Sequence, residues 1–98
     1  MLKHIVIFKL KDTDDKKKVA LELKEHLLNL KNHINEILEI EVGVKSDKAP
    51  ESHFDVFLNT KFNGIEELNS YRVHPEHQKV LEFIDRTCSD RVAIDYEV

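Results

Sequence analysis

The spacing of apolar residues changes several times along the chain, and each change marks an element. From Leu2 to Leu10 they run almost unbroken: Leu2, His4, Val6, Phe8 and Leu10 share one phase, while Ile5 and Ile7 hold the other between lysines. A run this rich in β-branched and aromatic types predicts a strand. Apolar residues in both phases predict one that is covered on two sides. Val19, Leu23, Leu27, Leu30 and Ile34 then recur at steps of three and four, with lysine and glutamate opposite. That is an amphipathic helix to about residue 32. Asp12, Asp14 and Asp15 stand before it as cap candidates and first-turn acids.

The period then returns to two. Leu38, Ile40, Val42 and Val44 alternate with Glu39, Glu41, Gly43 and Lys45, a strand with one buried face. Residues 46–52, with Pro50, read as a loop. Phe54, Val56 and Leu58 alternate with Asp55, Phe57 and Asn59 in a third strand, where Phe57 makes the second face partly apolar. Asn63-Gly64 opens a helix, Glu66 stands at capping-box spacing, and Ile65, Leu68 and Tyr71 are expected to face the core. Val73-His74-Pro75 interrupts it, because the residue before proline avoids the helical region. Pro75 suits the first position of a second helical piece, with Val80, Phe83, Ile84 and Cys88 as its buried stripe. Val92, Ile94, Tyr96 and Val98 alternate with Arg91, Ala93, Asp95 and Glu97 in a last strand.

The order is β-α-β-β-α-β, the split βαβ arrangement of an α+β, ferredoxin-like fold with a four-stranded antiparallel sheet. Right-handed crossovers place the first and third strands at the centre and the helices on one face. The edge strands read as apolar on one face and the central strands on both. Helices cover only one face, so Ile5, Ile7 and Phe57 on the other call for a second cover. A second copy packed sheet to sheet supplies it and predicts a homodimer, a dimeric α+β barrel. The alternative is that a few scattered surface apolar residues need no partner.

Composition narrows the function classes. Ninety-eight residues, 41% of them hydrophobic, make one domain over 1–98 with no repeat or linker. A formal charge of -4 and a single short basic run, Lys16 to Lys18, argue against a nucleic-acid partner. Cys88 is the only cysteine, which leaves no internal disulfide. It reads as a core thiol. Lys9 ends the first apolar run too early for a signal segment or a membrane span, so the expected location is cytoplasmic and no membrane partner is expected.

Taken together, Lys3-His4-Ile5-Val6-Ile7-Phe8-Lys9, Glu41-Val42-Gly43, Phe54-Asp55-Val56, Tyr71, His74-Pro75-Glu76-His77 and the closing stretch with Asp95-Tyr96 resemble the stress-responsive A/B barrel (Dabb) domain. The resemblance covers nearly the whole chain and implies a ferredoxin-like protomer in a dimeric barrel. It implies no single activity: the family includes plant stress proteins, bacterial members of unknown role and a plant polyketide cyclase that closes an aromatic ring without a cofactor. His4, Tyr71 and His77 match pocket positions of that cyclase, with His77 in the place of its base and Tyr71 in that of the base's partner. Val56 stands where the cyclase has a further pocket histidine.

The residues themselves leave three readings. His77 falls in the first turn of its helix, where the positive helix end and partial burial disfavour imidazolium. A neutral imidazole beside a phenol can accept a proton from an acidic carbon or hydroxyl, with His4 completing an acid–base trio. Alternatively His74 caps the helix, while His77, Tyr71 and His4 hydrogen-bond one another in a structural network. Third, His4, His74 and His77 could ligate zinc, but no carboxylate stands at a supporting spacing, and neither metal nor cofactor is expected. His26 and His33 read as solvated or boundary residues. The leading expectation is a homodimeric domain that binds a small hydrophobic or aromatic molecule between sheet and helices, lined by His4, Val6, Phe8, Val56, Tyr71, His74 and His77. A cofactor-independent cyclase or lyase and a purely structural assembly module are the alternatives.

Overall fold

The computed structural model describes all of residues 1–98. The elements run β1 (Leu2–Leu10), α1 (Lys16–His33), β2 (Glu39–Val44), β3 (Val56–Phe62), α2 (Ile65–Val73), α3 (Pro75–Thr87) and β4 (Cys88–Glu97). The four strands form one antiparallel sheet in the order β2-β3-β1-β4, so the ferredoxin-like βαββαβ topology expected from the pattern is the one observed.

Register decides which face each side chain takes. Residues paired across antiparallel strands point to the same side. His4 is opposite Thr60 and Asp95, Val6 opposite Leu58 and Ala93, and Phe8 opposite Val56 and Arg91. These face the helices. Ile5 is opposite Asn59 and Ile94, and Ile7 opposite Phe57 and Val92, all on the bare face. The helices close over the first set: α1 buries Ala20, Leu23, Leu27 and Leu30, α2 buries Leu68 and Tyr71, and α3 buries Val80 and Ile84.

Several local expectations need correction. Asp15 is the N-cap of α1, but its side chain makes no cap bond, and no acid lies in the first turn, which Lys16 to Lys18 occupy. The cap of α2 is Gly64 rather than Asn63, so the capping box does not form; Glu66 and Glu67 complement the helix end by charge alone. Ile65 is exposed, because the first side chain of a helix leans back past its N-terminal end. β3 starts at Val56 and continues to Phe62, adding the fully buried Thr60 and Phe62 to the core. Cys88 lies half-buried at the start of β4, where burial pushes its thiol pKa up. In β4 the apolar residues point away from the helices: Val92, Ile94 and Tyr96 join Ile5, Ile7 and Phe57 on the bare face.

Asp55, in the loop before β3, is buried and ties the sheet's end together. Its Oδ2 accepts from Leu10 N at 2.8 Å, and Lys45 and Lys16 approach its carboxylate at 3.4 and 3.8 Å. None of the helices is long and apolar enough to cross a membrane.

Candidate functional site

The inward phase of β1 places a histidine in an otherwise apolar row, and two neighbouring elements secure it. His4 is 8% exposed, and its Nδ1 lies 2.5 Å from Asp95 Oδ1 on β4. The other oxygen of Asp95 accepts from Arg72 Nη2 of α2 at 2.8 Å, while Arg72 Nη1 donates to Asn69. Burial alone would raise the Asp95 carboxyl; the hydrogen bonds and charges of His4 and Arg72 outweigh it and hold that pKa below its usual value. An ionised carboxylate only accepts. The hydrogen of His4 therefore sits on Nδ1, and Nε2 is free.

Tyr71 is 1% exposed, with Phe62 and His77 against its ring at centroid distances of 5.1 and 4.3 Å and His4 edge-on at 6.2 Å. Desolvation pushes its phenol pKa up, past the small opposing effect of Arg72, so at neutral pH it is a hydrogen-bond donor and not a base. Its hydroxyl bonds to no group of the chain. The only sealed side-chain atom without a partner is Asn59 Oδ1, so the Tyr71 hydroxyl opens onto the cavity that it lines.

Pro75 starts α3 and sets His77 in its first turn. His77 Nδ1 lies 3.0 Å from the Arg72 carbonyl, which only accepts, so Nδ1 carries the hydrogen and Nε2 presents a lone pair. Burial lowers the pKa of His77 and outweighs the carbonyl, which would raise it; the charges of His4, Arg91 and Arg72 lower it further.

Together these side chains line a cavity of about 440 Å³. Val6, Phe8 and Leu58 form its sheet side, Leu27, Leu81 and Ile84 its helix side, and His4, Tyr71, Arg72 and His77 a polar end; Ala93 and Arg91 continue it along β4. Five expected ligand-binding residues meet here: His4, Val6, Phe8, Tyr71 and His77. Two do not. Val56 is sealed in the core beneath the sheet, 2% exposed, and His74 Nδ1 is taken up in accepting from Glu76 N as the cap of α3. The expected mutual hydrogen bonds of the trio are also absent; the rings pack against one another and bond outward to Asp95 and the Arg72 carbonyl. No group of three or more His, Cys, Asp or Glu side chains is placed to hold a metal ion.

Arg72, Asp95 and Arg91 were not legible as site residues. Alternation put Arg91 and Asp95 on the polar phase of an edge strand, which reads as solvent-facing. Only their register opposite Phe8 and His4 turns them inward.

A ferredoxin-like sheet roofed by helices over one apolar cavity defines the class. The chain matches the family model of the stress responsive A/B barrel domain over residues 2–98 and belongs to that family. It is 29% identical over 97 residues to a stress-response A/B barrel domain-containing protein of Arabidopsis thaliana; the match takes in 98% of this chain and 36% of that protein, so the chain spans little more than a third of it. Among solved structures, a dimeric protein of unknown function with a ferredoxin-like fold from Bacteroides fragilis is 32% identical with a TM-score of 0.88, covering 99% of this chain and 95% of that one. A hydroxynitrile lyase from Passiflora edulis shares the fold at 17% identity and a TM-score of 0.79, over 99% of this chain and 92% of its own.

Proposed function

We propose that this chain forms a cytoplasmic homodimer in which each protomer binds a small hydrophobic or aromatic molecule between sheet and helices. One observation carries the binding: an apolar cavity of about 440 Å³ that ends in a free phenol hydroxyl and two histidines with their Nε2 atoms uncommitted. That volume lies within the range of small-molecule sites, roughly 300–1,000 Å³. A module packed solid with its own side chains would leave no such space. A ligand-shift screen of small aromatic and apolar compounds, followed by amide shift mapping, tests the reading. Hits should perturb Tyr71, His77 and Leu81; a screen in which no compound perturbs them refutes it.

The bare sheet face supports the dimer. Ile7, Val92, Ile94 and Tyr96 are exposed there beside Ile5 and Phe57, a continuous apolar patch across three strands. Asn59 Oδ1, on the same face, lacks a partner within the chain, and a second sheet can supply a donor. The Bacteroides fragilis relative is dimeric.

The tautomer of His77 favours a second reading, a cofactor-independent lyase or cyclase. Its Nδ1–H is held by a carbonyl and its Nε2 lone pair stays neutral near pH 7, which is what a general base requires. The Tyr71 hydroxyl beside it would donate to the oxygen on which charge develops. Turnover of an aromatic cyanohydrin or polyketide analogue should then vanish in His77→Gln; activity that survives removes His77 as the base.

A further inference from the structure

Among the charged groups that line the cavity, Arg91 alone has no partner in the chain. Arg72 is committed to Asp95 and Asn69. Asp85 and Asp90 flank the outer side of Arg91, yet no carboxylate oxygen comes within 4.0 Å of its guanidinium. Asp90 instead accepts from the Arg91 backbone N–H at 2.8 Å. No acidic residue lines the cavity, so its walls carry a net positive charge, and the field of Arg91 is felt at His77.

Its position gives that charge a geometry. Arg91, Ala93 and Asp95 are successive helix-facing residues of β4, opposite Phe8, Val6 and His4. At about 3.3 Å per residue, Arg91 and Asp95 stand roughly 13 Å apart along the strand. Between them the wall is apolar, from Ala93, Val6 and Phe8. A guanidinium is weakly hydrated and matches a carboxylate with two parallel donors.

We propose that Arg91 anchors the carboxylate of an elongated amphipathic acid, whose apolar body lies along Val6 and Phe8 and whose far end reaches the His4–Tyr71 end. The inference rests on the reading above, that the cavity takes a ligand, and names the ligand's class. Arg91 acts here as a binding residue and takes no part in any proton transfer.

The test uses three probes of one shape on the full chain: phenylbutanoate, phenylbutanol and phenylbutylamine. Calorimetric titration of the wild type should show the acid binding at least about tenfold tighter than the alcohol, as expected of a charge-assisted pair. Arg91→Gln should bring the two to equal affinity, and Arg91→Glu should turn the preference to the amine. Arg91 is exposed on an edge strand, so both variants should melt with the wild type. A second readout is independent of affinity: the acid, by neutralising Arg91, should raise the pKa of His77, and the alcohol should not. If alcohol and acid bind the wild type equally, or if Arg91→Gln keeps the preference, the anchor is overturned while the cavity stands as a neutral ligand site. If none of the three binds, the cavity reading falls and takes the anchor with it.

Discussion

His4 and Asp95 are separated by 91 positions, yet Nδ1 of one lies 2.5 Å from Oδ1 of the other. The carboxylate also holds Arg72, so one side chain joins β1, β4 and α2 at the polar end of the cavity. Removing it frees two cationic or potentially cationic neighbours at once. Asp95→Asn should cost up to about 1 kcal/mol, the scale of partly exposed pairs. Because the folded-state pKa of Asp95 lies below its unfolded value, the contribution is present above the unfolded pKa and is lost as pH falls through the folded one. Melts of wild type and variant should therefore differ at pH 7 and converge in acid. A difference that persists in acid would assign the effect to packing instead of charge.

His77 should titrate below the ordinary histidine value of 6.5 in an NMR experiment. The sign on stability follows: between the depressed pKa and 6.5 the unfolded chain binds more protons, so stability rises with pH across that window. His77→Gln should flatten that part of the profile. A His77 titration at or above 6.5 would withdraw the neutral base.

Tyr71→Phe separates a binding hydroxyl from a structural one. The hydroxyl bonds to no group of the chain, so its loss should change stability by no more than about 0.5 kcal/mol. Binding of phenols and aromatic acids should weaken. A structural hydrogen bond would instead cost on the order of 1–3 kcal/mol by stranding its partner, which thermal melts would show.

Ile7→Lys places a charge at the centre of the bare sheet face. The wild type should scatter light as a dimer at micromolar concentration and the variant as a monomer. A monomeric wild type would leave the patch without its partner.

Asp55→Ala should be the most damaging of these changes, on the order of 3 kcal/mol. It strands the Leu10 N–H and leaves Lys16 and Lys45 without their shared carboxylate. Chemical denaturation measures it, and a loss below about 1 kcal/mol would show that water replaces the carboxylate freely.

The chain's own order of residues determined the seven elements to within a few positions, the break at His74-Pro75, and the topology. Those features follow from short-range spacing: a period of two or of 3.6, a proline, a run of β-branched types. His4, Tyr71 and His77 were legible as candidates by another route, the resemblance to the stress-responsive A/B barrel family, which matches them to pocket positions. What only the tertiary structure decided is non-local. Alternation tells that the two faces of β4 differ but cannot tell which one meets the helices. Pairing His4 with Asp95 sends the apolar face of β4 to the bare side and turns Arg91 and Asp95 inward. A one-residue slip would exchange the two faces. The same holds for Val56 and His74: local pattern gives each a face, while the packing of other elements against that face seals Val56 in the core and sets His74 as a helix cap.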